Sequence, residues 1–262
     1  MTRIIWDDAG SRFFEAGVDR GVLYVDTNPG VPWNGLTGVN ENSTGGVAQP
    51  FYVDGQKYSN TATREDYSAT LTAFTYPDEF TPCEGTSSIR PGLLITKQQR
   101  KGFGLTYRTM VGNDVSPSAG YKIHLLYNAF AAPSARSHKS ISATTTPDDF
   151  SWAITTLPVS VAGYRASPHF VIDSREIDPQ TLSGIEDILY GNDTTSARLP
   201  TLTELIDLID SGDALTVTDN GDGTFSMTAP MTDLSMLDSE IFQLTWPTAI
   251  DNGDGTITVS SS

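Results

Sequence analysis

Three histidines, one cysteine and the adjacent acids at 7–8, 65–66 and 148–149 are the obvious candidates for chemistry in this 262-residue chain. His124, His138 and His169 contain no pair at the spacing by which a helix presents two imidazoles to zinc, and single histidines inside strand-like runs usually pack or hydrogen-bond. Cys83 stands alone, which excludes an intrachain disulfide and a cysteine metal site. Asp7-Asp8, Glu65-Asp66 and Asp148-Asp149 could supply paired carboxylates for glycoside hydrolysis. That chemistry needs one raised pKa in a partly apolar cleft, whereas these pairs fall at turns or strand starts, where acids are solvated. Gly102-Phe103-Gly104 lacks the third glycine and the helix of a dinucleotide site, and neither a nucleophile elbow nor a phosphate loop is present. The sequence assigns no catalytic residue, no cofactor and no metal.

A repeated motif invites a calcium reading. Asp219-Asn220-Gly221-Asp222-Gly223-Thr224-Phe225 returns as Asp251-Asn252-Gly253-Asp254-Gly255-Thr256-Ile257. An EF-hand needs oxygen ligands at alternate positions and a distal Glu, but here glycines fall at those positions. Hairpin turns use the same residues because Asn, Asp and Gly tolerate positive φ. Residues 213–262 are therefore expected to form a small acidic, hairpin-rich β appendage without calcium. Phe242, Leu244 and Trp246 alternate there like a strand seeking a larger sheet.

The elements around these residues are mostly strands. Gly120–Arg175 is a succession of aromatic and β-branched runs: 121–130, 150–158 and 168–173. Phe13–Ala16 and Val22–Val25 read as strands about a turn at Gly17–Gly21, and Phe103–Met110 as another strand. Tyr67–Tyr76 alternates, with Tyr67, Ala69, Leu71, Ala73 and Thr75 on its buried face. Two amphipathic helices follow. Asp178 caps the first, Pro179 opens it, Leu182, Ile185 and Leu189 share a face, and Gly191 ends it. Thr201 and Glu204 have capping-box spacing in the second, with Leu202, Leu205, Ile206 and Ile209 as its stripe.

Asp26–Asn60 is too long and too aromatic for an ordinary connection. Asp54-Gly55 marks a hairpin inside it. Trp33, Phe51, Tyr52 and Tyr58 are the expected anchors of an assembly interface, since aromatic side chains dominate interface energetics. Deleting Val31–Gln56 should then leave a folded subunit that cannot assemble.

Charge narrows the partners. Residues 1–172 carry 15 acids and 14 bases, while 173–262 carry 17 acids against Arg175 and Arg198, which together give the net −16. Such a balance repels phosphate backbones and excludes groove binding of nucleic acid; Lys97–Lys101 is only a short basic turn. No stretch approaches the roughly 18 apolar residues of a membrane helix, and no signal peptide is recognisable.

Several segments resemble the major tail proteins, or tail tube proteins, of long-tailed, non-contractile bacteriophages, especially those of actinobacteria. They are Tyr67–Phe80 (YSATLTAFTYPDEF), Gly102–Asp114 (GFGLTYRTMVGND), Gly120–Ile141, Thr146–Arg175 and Gln180–Ile209. The resemblance spans roughly 13–210 and rests on packing patterns. It implies a mainly β, tail-tube-type β-sandwich over 1–212, with a flanking helix, an assembly loop at about 26–60, and 213–262 as the C-terminal appendage. It further implies a non-enzymatic virion protein, made in the host cytoplasm, whose hexameric rings stack into a tube. Its partners would be copies of itself, the tape measure, tail terminator and distal tail proteins, and phage DNA passing through the lumen, with no membrane insertion. The alternative of another class is a virion-surface or secreted carbohydrate-binding β module, and a carboxylate hydrolase is the third.

Overall fold

The computed structural model describes residues 6, 8–136, 138, 140 and 149–212, together with strands 216–219, 224–228, 248–251 and 256–260. Asp7, Asp148 and the Phe242, Leu244 and Trp246 alternation lie outside the described residues. Two units make up the chain: residues 1–175 with 188–199, and residues 176–187 with 200–262.

In the first unit, β1 (Phe13–Tyr24), β2 (Val31–Pro32) and β3 (Leu36–Thr44) precede a hairpin of β4 (Ala48–Val53) and β5 (Gln56–Ala62). Next come β6 (Asp66–Ala73), a 3₁₀ turn at Asp78–Phe80, and a second hairpin of β7 (Ser87–Arg90) and β8 (Leu93–Ile95). β9 (Phe103–Asn113), β10 (Gly120–Ala131), β11 (Phe150–Thr156) and β12 (His169–Asp173) complete its strands. The fold is mainly β and antiparallel, as the sequence predicts.

One sheet runs in the order β2-β1-β9-β10-β11-β6-β3, and β12 also pairs with β10. β10 is divided: Lys122–Leu126 pair with β12, and Ala129–Ala131 with β11. The sheet folds over at this division. Leu23, Leu105, Tyr107 and Leu126 of one layer therefore share a core with Ala69, Leu71, Trp152 and Ile154 of the other. Aromatic rings fill the middle, with Phe80 4.7 Å from Trp33 and 5.2 Å from Trp152 between centroids.

β9 from Phe103 to Tyr107 and β10 from Ile123 to Tyr127 are buried at every position, so both faces are covered along these stretches. Leu105 and Leu126 face the inner core, while Thr106, Ile123 and Leu125 are buried on the outer face. There Tyr24 Oη donates to the Leu189 carbonyl at 2.7 Å. Gly104 sits where a Cβ would lie 2.5 Å from Leu199 Cδ2, so close packing explains this glycine.

Three expectations are corrected. Gly17–Gly21 is no turn: β1 is one strand, with register shifts between Ala16 and Asp19 and between Asp19 and Val22. Positive φ at Gly17 and Arg20 absorbs the extra residues as bulges, and pairing with β9 continues across them. Residues 26–60 are not one excursion either. Leu36–Thr44 is β3, an edge strand of the main sheet paired with β6, and only the β4–β5 hairpin stands outside that sheet. Removing Val31–Gln56 would therefore take out β2, β3 and the buried Trp33 with the hairpin.

β6 keeps its predicted inner face, with Ala69, Leu71 and Ala73 buried. In the second unit Asp178 Oδ2 accepts the amides of Gln180 and Thr181 at 2.9 and 3.0 Å, capping α1 (Pro179–Tyr190). Thr201 Oγ1 accepts the Glu204 amide at 3.3 Å and caps α2 (Leu202–Gly212). Leu205 of the predicted stripe is buried, whereas Ile206 is exposed.

The same unit holds a four-stranded antiparallel sheet in the order β13-β14-β16-β15, from β13 (Thr216–Asp219), β14 (Thr224–Thr228), β15 (Thr248–Asp251) and β16 (Thr256–Ser260). Each copy of the Asp-Asn-Gly-Asp-Gly motif joins the two strands of a hairpin, with Asp219 opposite Phe225 and Asp251 opposite Ile257. β14 and β16 then pair about Ser226 and Thr258, which occupy the same place in the repeat. The duplicated hairpins thus meet with a local two-fold relation.

Candidate functional site

The four predicted interface residues separate into two groups. Phe51, Tyr52 and Tyr58 are exposed on the β4–β5 hairpin, with Val53 beside them. Asp54 and Gly55, both at positive φ, close its two-residue turn as the Asp-Gly pair predicts. Trp33 is corrected: it is only 3% exposed and belongs to the central core. Its indole nitrogen donates to the Thr75 carbonyl at 3.0 Å, so both its ring and its polar edge are satisfied inside the subunit.

A second apolar arm escaped the sequence reading. The β7–β8 hairpin exposes Ile89, Leu93, Leu94 and Ile95. Its signal was Pro91-Gly92, a turn pair in which Gly92 takes positive φ.

The histidines come together where separate positions in the chain gave no hint. His124 on β10 and His169 on β12 are diagonal neighbours of one face, because Leu126 is opposite His169 and Val171 is opposite His124. His124 Nδ1 and His169 Nε2 are 3.2 Å apart. The ring planes differ by 12° and the centroids are 5.3 Å apart, so the imidazoles meet edge to edge through these nitrogens. Glu41 approaches from β3 in the opposite layer, with Oε1 3.5 Å from His124 Nδ1 and Oε2 3.7 Å from His169 Nδ1.

Surrounding groups fix this cluster. His124 Nε2 is 3.0 Å from Thr109 Oγ1. Tyr107 stacks on His124 at 4.6 Å, and its hydroxyl donates to Glu41 Oε1 at 2.6 Å. Tyr67 stacks on His169 at 4.9 Å. Burial pushes His124 down to about 4, against the opposing pull of the Glu41 carboxylate. His169 is lowered by burial as well, and both rings are neutral near pH 7. Burial raises the Tyr107 hydroxyl, which keeps its proton and remains a donor to Glu41. Beside Tyr67 a cleft of about 630 Å³ opens to solvent between Ser43, Arg64, Arg165 and Ser167.

The remaining candidates do not converge. Cys83 is fully buried and its thiol is pushed up to about 12 by burial, so it is an unreactive core residue. Asp8, Glu65, Asp66 and Asp149 are exposed, at turns or beside strand starts. His138 is exposed. Among the described residues, no helix is long and apolar enough to cross a membrane.

No protein-family model and no curated protein matches the sequence. Solved structures with overlapping folds include the tube-terminating cap of the anti-feeding prophage, at 10% identity and a TM-score of 0.32, covering 66% of this chain and 97% of that one. The sheath–tube complex of an extracellular contractile injection system overlaps at 13% identity and 0.31, covering 59% and 88%. The anti-feeding prophage baseplate overlaps at 9% identity and 0.31, covering 64% and 97%. Overlaps this loose carry no weight for function.

Proposed function

We propose that this chain is the tail tube subunit of a long-tailed, non-contractile phage, a non-enzymatic virion protein whose hexameric rings stack into the conduit for genome delivery. The observation that carries the proposal is the pair of hairpins outside the main sheet, which expose Phe51, Tyr52, Val53 and Tyr58 on one and Ile89, Leu93, Leu94 and Ile95 on the other. A two-stranded hairpin is marginal by itself in water, and apolar side chains concentrated on one mark an interaction surface. Open sheet edges add to this. β3 is an edge strand of nine residues, and β1 pairs on its free side only through Leu23 and Val22. Joining such edges between subunits removes them. The resemblance of Tyr67–Phe80, Gly102–Asp114 and Gly120–Arg175 to tail tube proteins gives the same assignment. In it, 1–212 builds the tube, and 213–262 is a C-terminal segment that either decorates the exterior or joins the main sandwich. The partners are further copies of the chain and the neighbouring tail proteins.

Negative-stain microscopy and sedimentation of the purified full chain test this, alongside imaging of virions that carry it. Rings or tubes of six-fold symmetry are expected. A chain that stays monomeric over a wide concentration range, is absent from tails and binds glycans would be the carbohydrate module instead.

A further inference from the structure

We infer that Glu41, His124 and His169 form a binding site for a borderline divalent transition ion of the zinc class, placed so that the ion ties the two layers of the folded sheet together. The inference is independent of the tail tube assignment. Three observations support it. The donor atoms all lie within 4.8 Å of one another. Tetrahedral zinc with Zn–N bonds of about 2.05 Å needs neighbouring donors about 3.3 Å apart. The His124 Nδ1 to His169 Nε2 and His124 Nδ1 to Glu41 Oε1 distances of 3.2 and 3.5 Å bracket that value.

The second observation is the donor set. Two imidazoles and a carboxylate suit zinc, nickel or cobalt, and suit calcium or magnesium poorly. The third is the outer ring of contacts. Thr109 Oγ1 meets the far nitrogen of His124, and Tyr107 Oη holds Glu41 Oε1. Metal sites are built this way, with the second ring nitrogen and the carboxylate each anchored by a neighbour.

Without metal, one proton lies between His124 Nδ1 and His169 Nε2. Ligation by both nitrogens moves that proton to the far nitrogen of its own ring, so that His124 carries its proton on Nε2, beside Thr109 Oγ1, and His169 on Nδ1, the nitrogen nearer Glu41 Oε2. Glu41 comes from the edge strand β3 and the histidines from β10, in the middle of the sheet order, and its partner β12, so the ion would bridge β3 to strands that are not its hydrogen-bonded neighbours.

The test uses the full chain stripped with a chelator. Zinc is titrated by calorimetry, cobalt by visible absorption, and thermal unfolding is recorded with and without zinc. One zinc per chain, an intense tetrahedral cobalt spectrum and a rise in Tm of roughly 5 °C at saturating metal are expected. E41Q and H169Q, both at partly exposed positions, should each weaken zinc binding at least tenfold and abolish the shift in Tm. H124Q should do the same if it folds, and the other two variants decide the matter if it does not. Equal zinc affinity in wild type and variants would place binding on the acidic C-terminal segment and overturn the site. A weak octahedral cobalt spectrum, or no binding at all, would overturn it too.

Discussion

Trp33 and Tyr58 belong to one aromatic-rich stretch, yet their physical roles are opposite. Trp33 is 3% exposed and packs on Phe80 and Trp152, whereas Tyr58 is 79% exposed. Trp33→Ala should therefore cost about 3–5 kcal/mol of stability through the cavity it leaves. Tyr58→Ala should change stability by less than about 0.5 kcal/mol and weaken assembly instead. Denaturant unfolding and sedimentation of the two variants separate these outcomes, and equal destabilisation would remove Tyr58 from the interface. Asp19 gives a second residue-scale prediction. It lies between the two bulges of β1 and receives both Arg108 Nε and Nη2, at 2.8 and 2.6 Å. The Arg108 guanidinium, chiefly by hydrogen bonding, holds its carboxyl below the usual 3.8. The unfolded chain then takes up this proton more readily than the folded one. The stabilisation is complete above about pH 4 and is lost as pH falls through the folded pKa. Thermal unfolding below pH 4 should be less pH-dependent in Asp19→Asn than in wild type, and parallel curves would refute this.

At the scale of elements, the β4–β5 hairpin is separable and β3 is not. Replacing Ala48–Ala62 by a short turn should leave a subunit that unfolds cooperatively at nearly the wild-type temperature but no longer forms tubes. Deleting Val31–Gln56 should abolish folding, because it removes Trp33 from the core and β3 from its pairing with β6. Circular dichroism and microscopy of both deletions check this. If the shorter deletion still assembles normally, that hairpin is not a contact. The difference between these two segments also shows how much the sequence discloses. Asp54-Gly55 announces its hairpin through φ alone, and the apolar alternation of β6 is set by one buried face. β3 is hidden because Leu36–Thr44 includes Gly38, Asn40, Asn42 and Ser43, which carry little strand propensity. Its edge position supplies the missing reason: pairing on one side, with solvent on the other, tolerates polar residues. Gly17–Gly21 misleads in the opposite sense, since turn-forming residues serve equally as bulges. The histidine cluster was not legible at all. Glu41, His124 and His169 are brought together by strand register and by the folding of the sheet, neither of which local spacing encodes.

For the whole molecule, charge opposes assembly. The chain carries a net −16, and residues 213–262 contribute eight acids and no base. Copies placed side by side in a ring bring these charges within reach of one another, and charges repel over a screening length of about 8 Å at physiological salt. Apolar hairpins are not weakened by salt, whereas the repulsion is. Raising ionic strength from about 0.02 to 0.5 M, which shortens the screening length from roughly 20 to 4 Å, should therefore shift the chain towards rings and tubes. Removing 213–262 discards half of the net charge and should both promote assembly at low salt and flatten its salt dependence. Sedimentation across a salt series on the full and shortened chains measures this directly. If salt instead disperses the assemblies, attraction between opposite charges holds the subunits together and the apolar hairpins are not the principal contacts. If the shortened chain retains the full salt dependence, the acids that repel lie within 1–212. Among these, the nine between Asp173 and Asp210 are the next to replace.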